Sequence, residues 1–500
     1  MGRRCAAVRG VLAIGVVAGI GCAQLAGIDD TNGSRRPPDS VEVTRWSIGA
    51  AIDKTPLDLG GLTATYFVAR GDATFDRIPA SLSPDASKWT TKLYDPAPVQ
   101  FTLPDLPAPI PRLFAFPVPR LQVLYGVLEH PGRIAAPDGA TFTVTAPLDV
   151  PIAATDSFQT YVVGAWLARG FAAGEIPTTG MMLSSTPFSF VAGNSVAGRP
   201  APDLVTSRDA FLVLRYSSGA MTGVAEAAPF DQTGMATTVM TRTMAPVMQD
   251  QTLDVKLSPG VLATRYLAAR PAVATLSMSW SLVAAPGYQI ASNAGPLLQS
   301  GGLTMADAGL TVKYGNPFTA RRWNTIFTLA TSESRVYTPA GTATPVTLNA
   351  GMNQFLEPPA PGFSLILPAG LPILIAIDNM PLSTDGQSYK QPARFAHVTV
   401  VSDTPPGATG PGADLYNLQV FELVANQAGN ALDRKIVLAA ASRDASFDLP
   451  PELFQAGHSY TLRAITTLGG FPALGDGNFL TRELPLSQGY LDSAVFTVTP

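Results

Sequence analysis

Histidine, cysteine and charge are all scarce in this chain. Three histidines and two cysteines stand among 500 residues. His130, His397 and His458 lie far apart, and none has a second histidine or a cysteine at metal-ligand spacing. A zinc site is therefore not expected, and each histidine reads as structural. Charged residues make up 14% of the chain, well under the roughly 25% usual for soluble domains. The 33 basic and 37 acidic residues give a formal charge of −4, with none of the clustered basic surface that nucleic acid requires. Catalytic signatures are missing too: there is no GxSxG elbow and no SxxK with its companion motifs. The glycines at 407–412 (GATGPG) include a proline and lack the lysine and following helix of a phosphate cradle. Phe363 to Ile377, the most apolar internal stretch, is cut by Pro368, Gly370 and Pro372. It reads as two buried strands around a turn, since a spanning helix needs about 20 unbroken apolar residues.

Glycine and proline, by contrast, are abundant at 45 each, and they are spread along the chain as punctuation. Short apolar runs cut by such residues predict an all-β protein of tandem sandwich-type modules. The clearest signal lies at Leu276, Met278, Trp280 and Leu282, which share one strand face while Ser277, Ser279 and Ser281 take the other. Thr141 to Thr145 alternates as well, and Ser217-Ser218-Gly219 reads as a hairpin turn after a strand at Ala210 to Tyr216. Pro104, Pro107, Pro109, Pro111, Pro117 and Pro119 crowd one segment, which reads as an edge strand or an extended connector. Composition shifts divide the chain into a leader at 1–22, a polar tether at 23–40 and modules at 41–135, 136–257, 258–391 and 392–500. Leu62, Tyr66, Ala69 and Arg70 recur as Leu262, Tyr266, Ala269 and Arg270, a sparse hint of an internal repeat.

Three residue sets carry possible chemistry. Met240, Met244 and Met248 have equal parity, so an unbroken strand would point three thioethers one way, as Cu(I) favours. Pro246 argues against that strand, and a methionine-lined core face is the expected reading. Asp85, Glu129, Asp231 and Glu357 are carboxylates available for a glycosidic acid–base pair, though nothing in their spacing singles out two of them. Trp46, Trp89, Trp166, Trp280 and Trp323 are too scattered to form a sugar-stacking platform, and Trp280 sits on the apolar strand face. No catalytic residue, metal ligand or cofactor site is assigned.

The N-terminus is more informative. Arg3, Arg4 and Arg9 precede the apolar run Gly10 to Gly21, the layout of an export signal too short to span a bilayer. Gly19-Ile20-Gly21-Cys22 resembles the lipobox of bacterial lipoproteins. The small residue before the cysteine matches that family, while Gly19 stands where it favours leucine. The resemblance implies that Cys22 is acylated and becomes the new N-terminus, and that Ala23, in place of a retaining aspartate, permits sorting to the outer membrane. Leu25 to Asp30 (LAGIDD) is similar to the mature start of lipoproteins from myxobacteria-like proteomes. Loss of the leader also removes Cys5, so no internal disulfide is expected and formal charge falls to −7. Near the other end, Gly457-His458-Ser459-Tyr460-Thr461-Leu462 resembles the late strand of fibronectin type III and immunoglobulin-like sandwiches, where a tyrosine enters at a corner.

The sequence thus predicts an exported lipoprotein, anchored in the outer membrane by Cys22 and facing the periplasm or the cell surface. A non-enzymatic structural or binding role is expected, with a protein or polysaccharide of the envelope as partner and no nucleic acid. A polysaccharide-active or carbohydrate-binding protein using a carboxylate pair or exposed aromatics is the alternative. A subunit of an envelope complex is a further one.

Overall fold

The computed structural model describes residues 40–500, apart from 49–53, 57, 71–74, 93–98, 103–110, 116–119, 125–141, 164–166, 172–173, 178, 189–209, 228–237, 258–259, 261–263, 267–275, 288–294, 300–307, 340–343, 359–362, 365–368, 406–411 and 427–428. The leader, including Cys22, and the tether up to residue 39 therefore lie outside the described residues. Within them the protein is all-β, with several sheets and only isolated helical turns such as Pro451–Leu453 and Leu474–Asp476. Among the described residues no helix is long and apolar enough to cross a membrane.

Local patterning explains the strands. In Ser277–Pro286, Met278, Trp280 and Leu282 are buried opposite Thr331, Leu329 and Phe327 of Trp323–Tyr337. Phe142–Pro147 alternates as predicted, with Phe142, Val144 and Ala146 inside. The hairpin after Ala210–Ser217 turns on Ser218 and Gly219, both at positive φ, and Ser217 pairs Ala220 across it. Two consecutive left-handed residues match the twist of the flanking strands, and glycine takes that conformation without steric cost.

Strand partners follow a path that spacing alone does not reveal. Pro111–Ala115 is no edge or connector: it pairs antiparallel with Val99–Thr102 and parallel with Leu432–Ser442. Proline is tolerated because Pro111 occupies the first strand position, leaving the amides of residues 112–115 for the ladders. Leu432–Ser442 continues to Leu415–Ala425, then Ser459–Gly469, Leu486–Asp492 and Val346–Leu356. Pairing also joins Ala220 to Leu298, and Gln251–Leu257 to Ala308–Tyr314. Ladders thus run across the sequence positions near 135, 257 and 391 where composition shifts.

The sheet around Leu432–Ser442 is covered on both faces. Leu438 and Ala440 pack with Ile375, Val398, Leu418 and Leu462. Ala441 faces the other way, toward Phe114, Leu121, Val123 and Leu415. Tyr460, 1% exposed, lies among Phe454 and Phe496, and its hydroxyl accepts a hydrogen bond from the Gln455 amide at 3.0 Å. The repeated tyrosines have no common setting. Tyr66 lies on the strand Ala64–Ala69 and Tyr266 on a helical turn at 264–266.

A third core holds Tyr161, whose hydroxyl donates to Gln159 Oε1 at 2.9 Å, beside Tyr216 and Tyr266. Burial pushes Tyr161 up to about 12, and it drives Tyr216 and Tyr266 upward too. In the unfolded chain these phenols ionise near pH ~10. Their folded pKa is raised, so their contribution is intact below pH ~10 and is lost as pH rises toward the folded values. Urea unfolding followed from neutral to strongly alkaline pH is expected to show stability falling above pH ~10. A flat profile across that range would contradict the burial of these hydroxyls.

Candidate functional site

A cavity of about 240 Å³ opens on the face of the sheet that carries Ala439 and Ala441. Its floor comes from five adjacent strands. Paired positions place Arg112 beside Ala439, Phe114 beside Ala441, and Ala441 beside Asn417. The row continues through Leu415 and Thr467 to Gln488. Because paired residues share a face, all of these side chains point to one side. The alanines create the space: where Leu438 fills the opposite core, Ala439 and Ala441 leave room for a ligand-sized void.

The roof is the segment 470–483. Asn478 caps it locally by accepting hydrogen bonds from the amides of Leu480 and Thr481 through Oδ1. Gly477 adopts the left-handed conformation (φ 71°) that closes the turn Leu474–Asp476, and its amide bonds to Leu474. The segment is stitched to Arg120–Leu124, since the Gln122 amide donates to Gly477 and the Phe479 amide donates to Gln122. This brings Phe471 and Phe479 together edge to face at 5.6 Å, with Phe479 5.7 Å from Phe114. An aromatic wall results.

Arg482 leaves this segment to line the cavity. Its guanidinium lies 5.3 Å over the Phe471 ring, and its Nε is enclosed without a hydrogen-bond partner. The residue as a whole is half-buried. Burial lowers its pKa from the ordinary arginine value. Arg112, Asn417 and Gln488 add further donors to the lining, and Thr467 adds a hydroxyl. Among the described residues the lining contains no carboxylate, imidazole or thiol. Such a set holds an anion by charge and hydrogen bonds; it offers no general acid or base of ordinary kind.

The residues singled out in the sequence lie elsewhere. Met240 and Met244 are buried in one core, whereas Met248 is 74% exposed, so the three thioethers do not converge. The strand that would have aligned them is broken between Thr238–Thr241 and Ala245–Pro246. Among the described residues no cluster of histidine, cysteine and acidic side chains could hold a metal. Asp85 is exposed on a turn, where hydrogen bonds from Ser83 and then Ser87 hold its carboxyl down at about 2. That is the wrong direction for a glycosidic acid, which needs a raised value. Glu357 is exposed beyond Val346–Leu356. Glu129, Asp231, His130 and Trp166 lie outside the described residues. His397 pairs with Asp448 at 2.7 Å and His458 with Glu422 at 2.6 Å, both at the surface. Trp89, Trp280 and Trp323 are buried, and half-buried Trp46 donates to Thr44 at 3.2 Å.

Fold and cavity together define an all-β protein with an arginine-lined, partly aromatic cavity. The chain matches no protein-family model, and no curated protein is similar to it.

Proposed function

We propose that the protein is an envelope lipoprotein, exported and held in the outer membrane through acylated Cys22, whose β-built body serves as a binding scaffold. The single observation that carries the binding role is the cavity lining, which offers cationic and amide donors beside aromatic rings and no acid–base pair. The anchor is supported by Gly21-Cys22 after a basic, apolar leader. Each buried acyl methylene contributes about 0.8 kcal/mol, and several chains on one cysteine give stable attachment where one alone does not. In this proposal 392–500 is a fibronectin- or immunoglobulin-like sandwich. The Tyr460 hydroxyl bonded to the backbone at Gln455, a few residues upstream, supports that reading.

Wild-type protein and Cys22→Ala are compared by labelled-palmitate incorporation and by detergent-phase partitioning. The wild type is expected to carry label and enter the detergent phase, and the variant to remain aqueous and unlabelled. A wild-type mature chain that starts at another residue and carries no acyl mass would overturn the anchor.

A further inference from the structure

We propose that the cavity binds a compact organic carboxylate, with its anionic head on the Arg482 guanidinium and its apolar body against Phe114, Phe471 and Phe479. This rests on the binding role proposed above and is independent of the lipid anchor.

Four observations converge on it. Arg482 has an enclosed Nε with no partner, and among the described residues no acid lines the cavity around it. A half-buried cation whose Nε is enclosed without a counter-charge works against folding. Binding sites are where folded proteins keep such groups at the expense of stability. Second, the guanidinium presents a planar fork that matches a carboxylate through two parallel hydrogen bonds. Third, Phe114, Phe471 and Phe479 give the lining an aromatic side beside its polar one, and a fully hydrated inorganic ion would leave that side unpaired. Fourth, at about 240 Å³ the space falls below the roughly 300–1,000 Å³ of drug-sized sites, which restricts the ligand to about one ring with its head group.

The test uses the full chain and fluorine NMR, with 4-fluorobenzoate as the anionic probe and 4-fluorobenzamide as its neutral counterpart. A ligand of this size is expected to bind with a dissociation constant of about a millimolar or below. The benzamide, which lacks the charge, is expected to bind about ten- to hundredfold more weakly. Arg482→Gln is expected to weaken benzoate by a similar factor while its unfolding midpoint stays equal or rises, because an unpaired cation has been removed. A structural role for Arg482 would lower that midpoint and leave binding alone. Ala441→Leu, which fills the cavity without touching charge, is expected to abolish binding of both probes, and it decides the matter should Arg482→Gln not fold. Equal affinity for the two probes, no saturable benzoate binding, or unchanged binding by either folded variant would overturn the proposal. None of these outcomes bears on Cys22 acylation, so the two failures are distinguishable.

Discussion

Asp492→Ala is expected to cost about 3–5 kcal/mol of folding stability, the range seen when one partner of a buried ion pair is removed. The Asp492 side chain is completely buried, and four donors converge on it. Arg463 contributes Nε at 2.6 Å and Nη2 at 2.8 Å, Arg434 contributes Nη1 at 2.6 Å, and the Asn349 amide completes the set at 2.7 Å. Those donors come from three different strands, so one carboxylate fastens Val346–Leu356, Leu432–Ser442 and Ser459–Gly469 to its own strand. Both guanidinium groups also lie over Phe421, at 5.2 and 5.7 Å. Without the carboxylate, the two guanidinium groups lose the counter-charge they share. Urea unfolding is expected to show a lower midpoint with an unchanged slope. A loss below about 1 kcal/mol, as for an exposed pair, would show that Asp492 is not the fastening group.

Phe454→Ala is expected to be similarly severe, at about 3–5 kcal/mol. Phe454 is fully buried and meets Tyr460 at 5.4 Å, Tyr389 at 5.8 Å and Phe496 at 6.1 Å. Its neighbours are themselves pinned: Tyr389 donates to Asp378 at 2.7 Å, and Tyr460 is held by the Gln455 amide. Pinned rings cannot collapse into the space a truncated side chain leaves, so the cost should sit at the high end of its class. Phe454→Leu, which keeps most of the volume, should lose markedly less in the same unfolding assay. Equal losses for the two variants would mean that ring packing is not what holds this corner.

Much of the strand pattern is legible in the sequence, and its partners are not. Alternation at Met278, Trp280 and Leu282 reports which side of a strand is buried, because side chains repeat every two residues. It carries no information about the neighbouring strand. Hence Pro111–Ala115, obscured by surrounding prolines, shows its place beside Leu432–Ser442 only in the structure. The hairpin at Ser218-Gly219 is legible for the opposite reason, since its partners adjoin in sequence and the turn residues themselves dictate the geometry.

The candidate site was less accessible still. Arg112 and Arg482 are separated by most of the chain, and neither belongs to a spaced motif. The only local trace is Ala439-Ala440-Ala441, a run of small residues inside a strand that otherwise carries bulk. Small residues at a sheet position admit a void, yet they do not reveal what lines it. The methionine trio illustrates the reverse case. Parity suggested convergence, and a break in the strand dispersed it.

The cavity exists because a strand from the early part of the chain completes a sheet from the late part, with Arg112 and Phe114 set beside Ala439 and Ala441. Amide hydrogen exchange on the full chain tests that union most directly. Residues 112–115 are expected to exchange as slowly as 438–442, and Ala441→Pro, which removes a donor from the shared ladder, should release both together. Rapid exchange at 112–115 while 438–442 stays protected would contradict the arrangement.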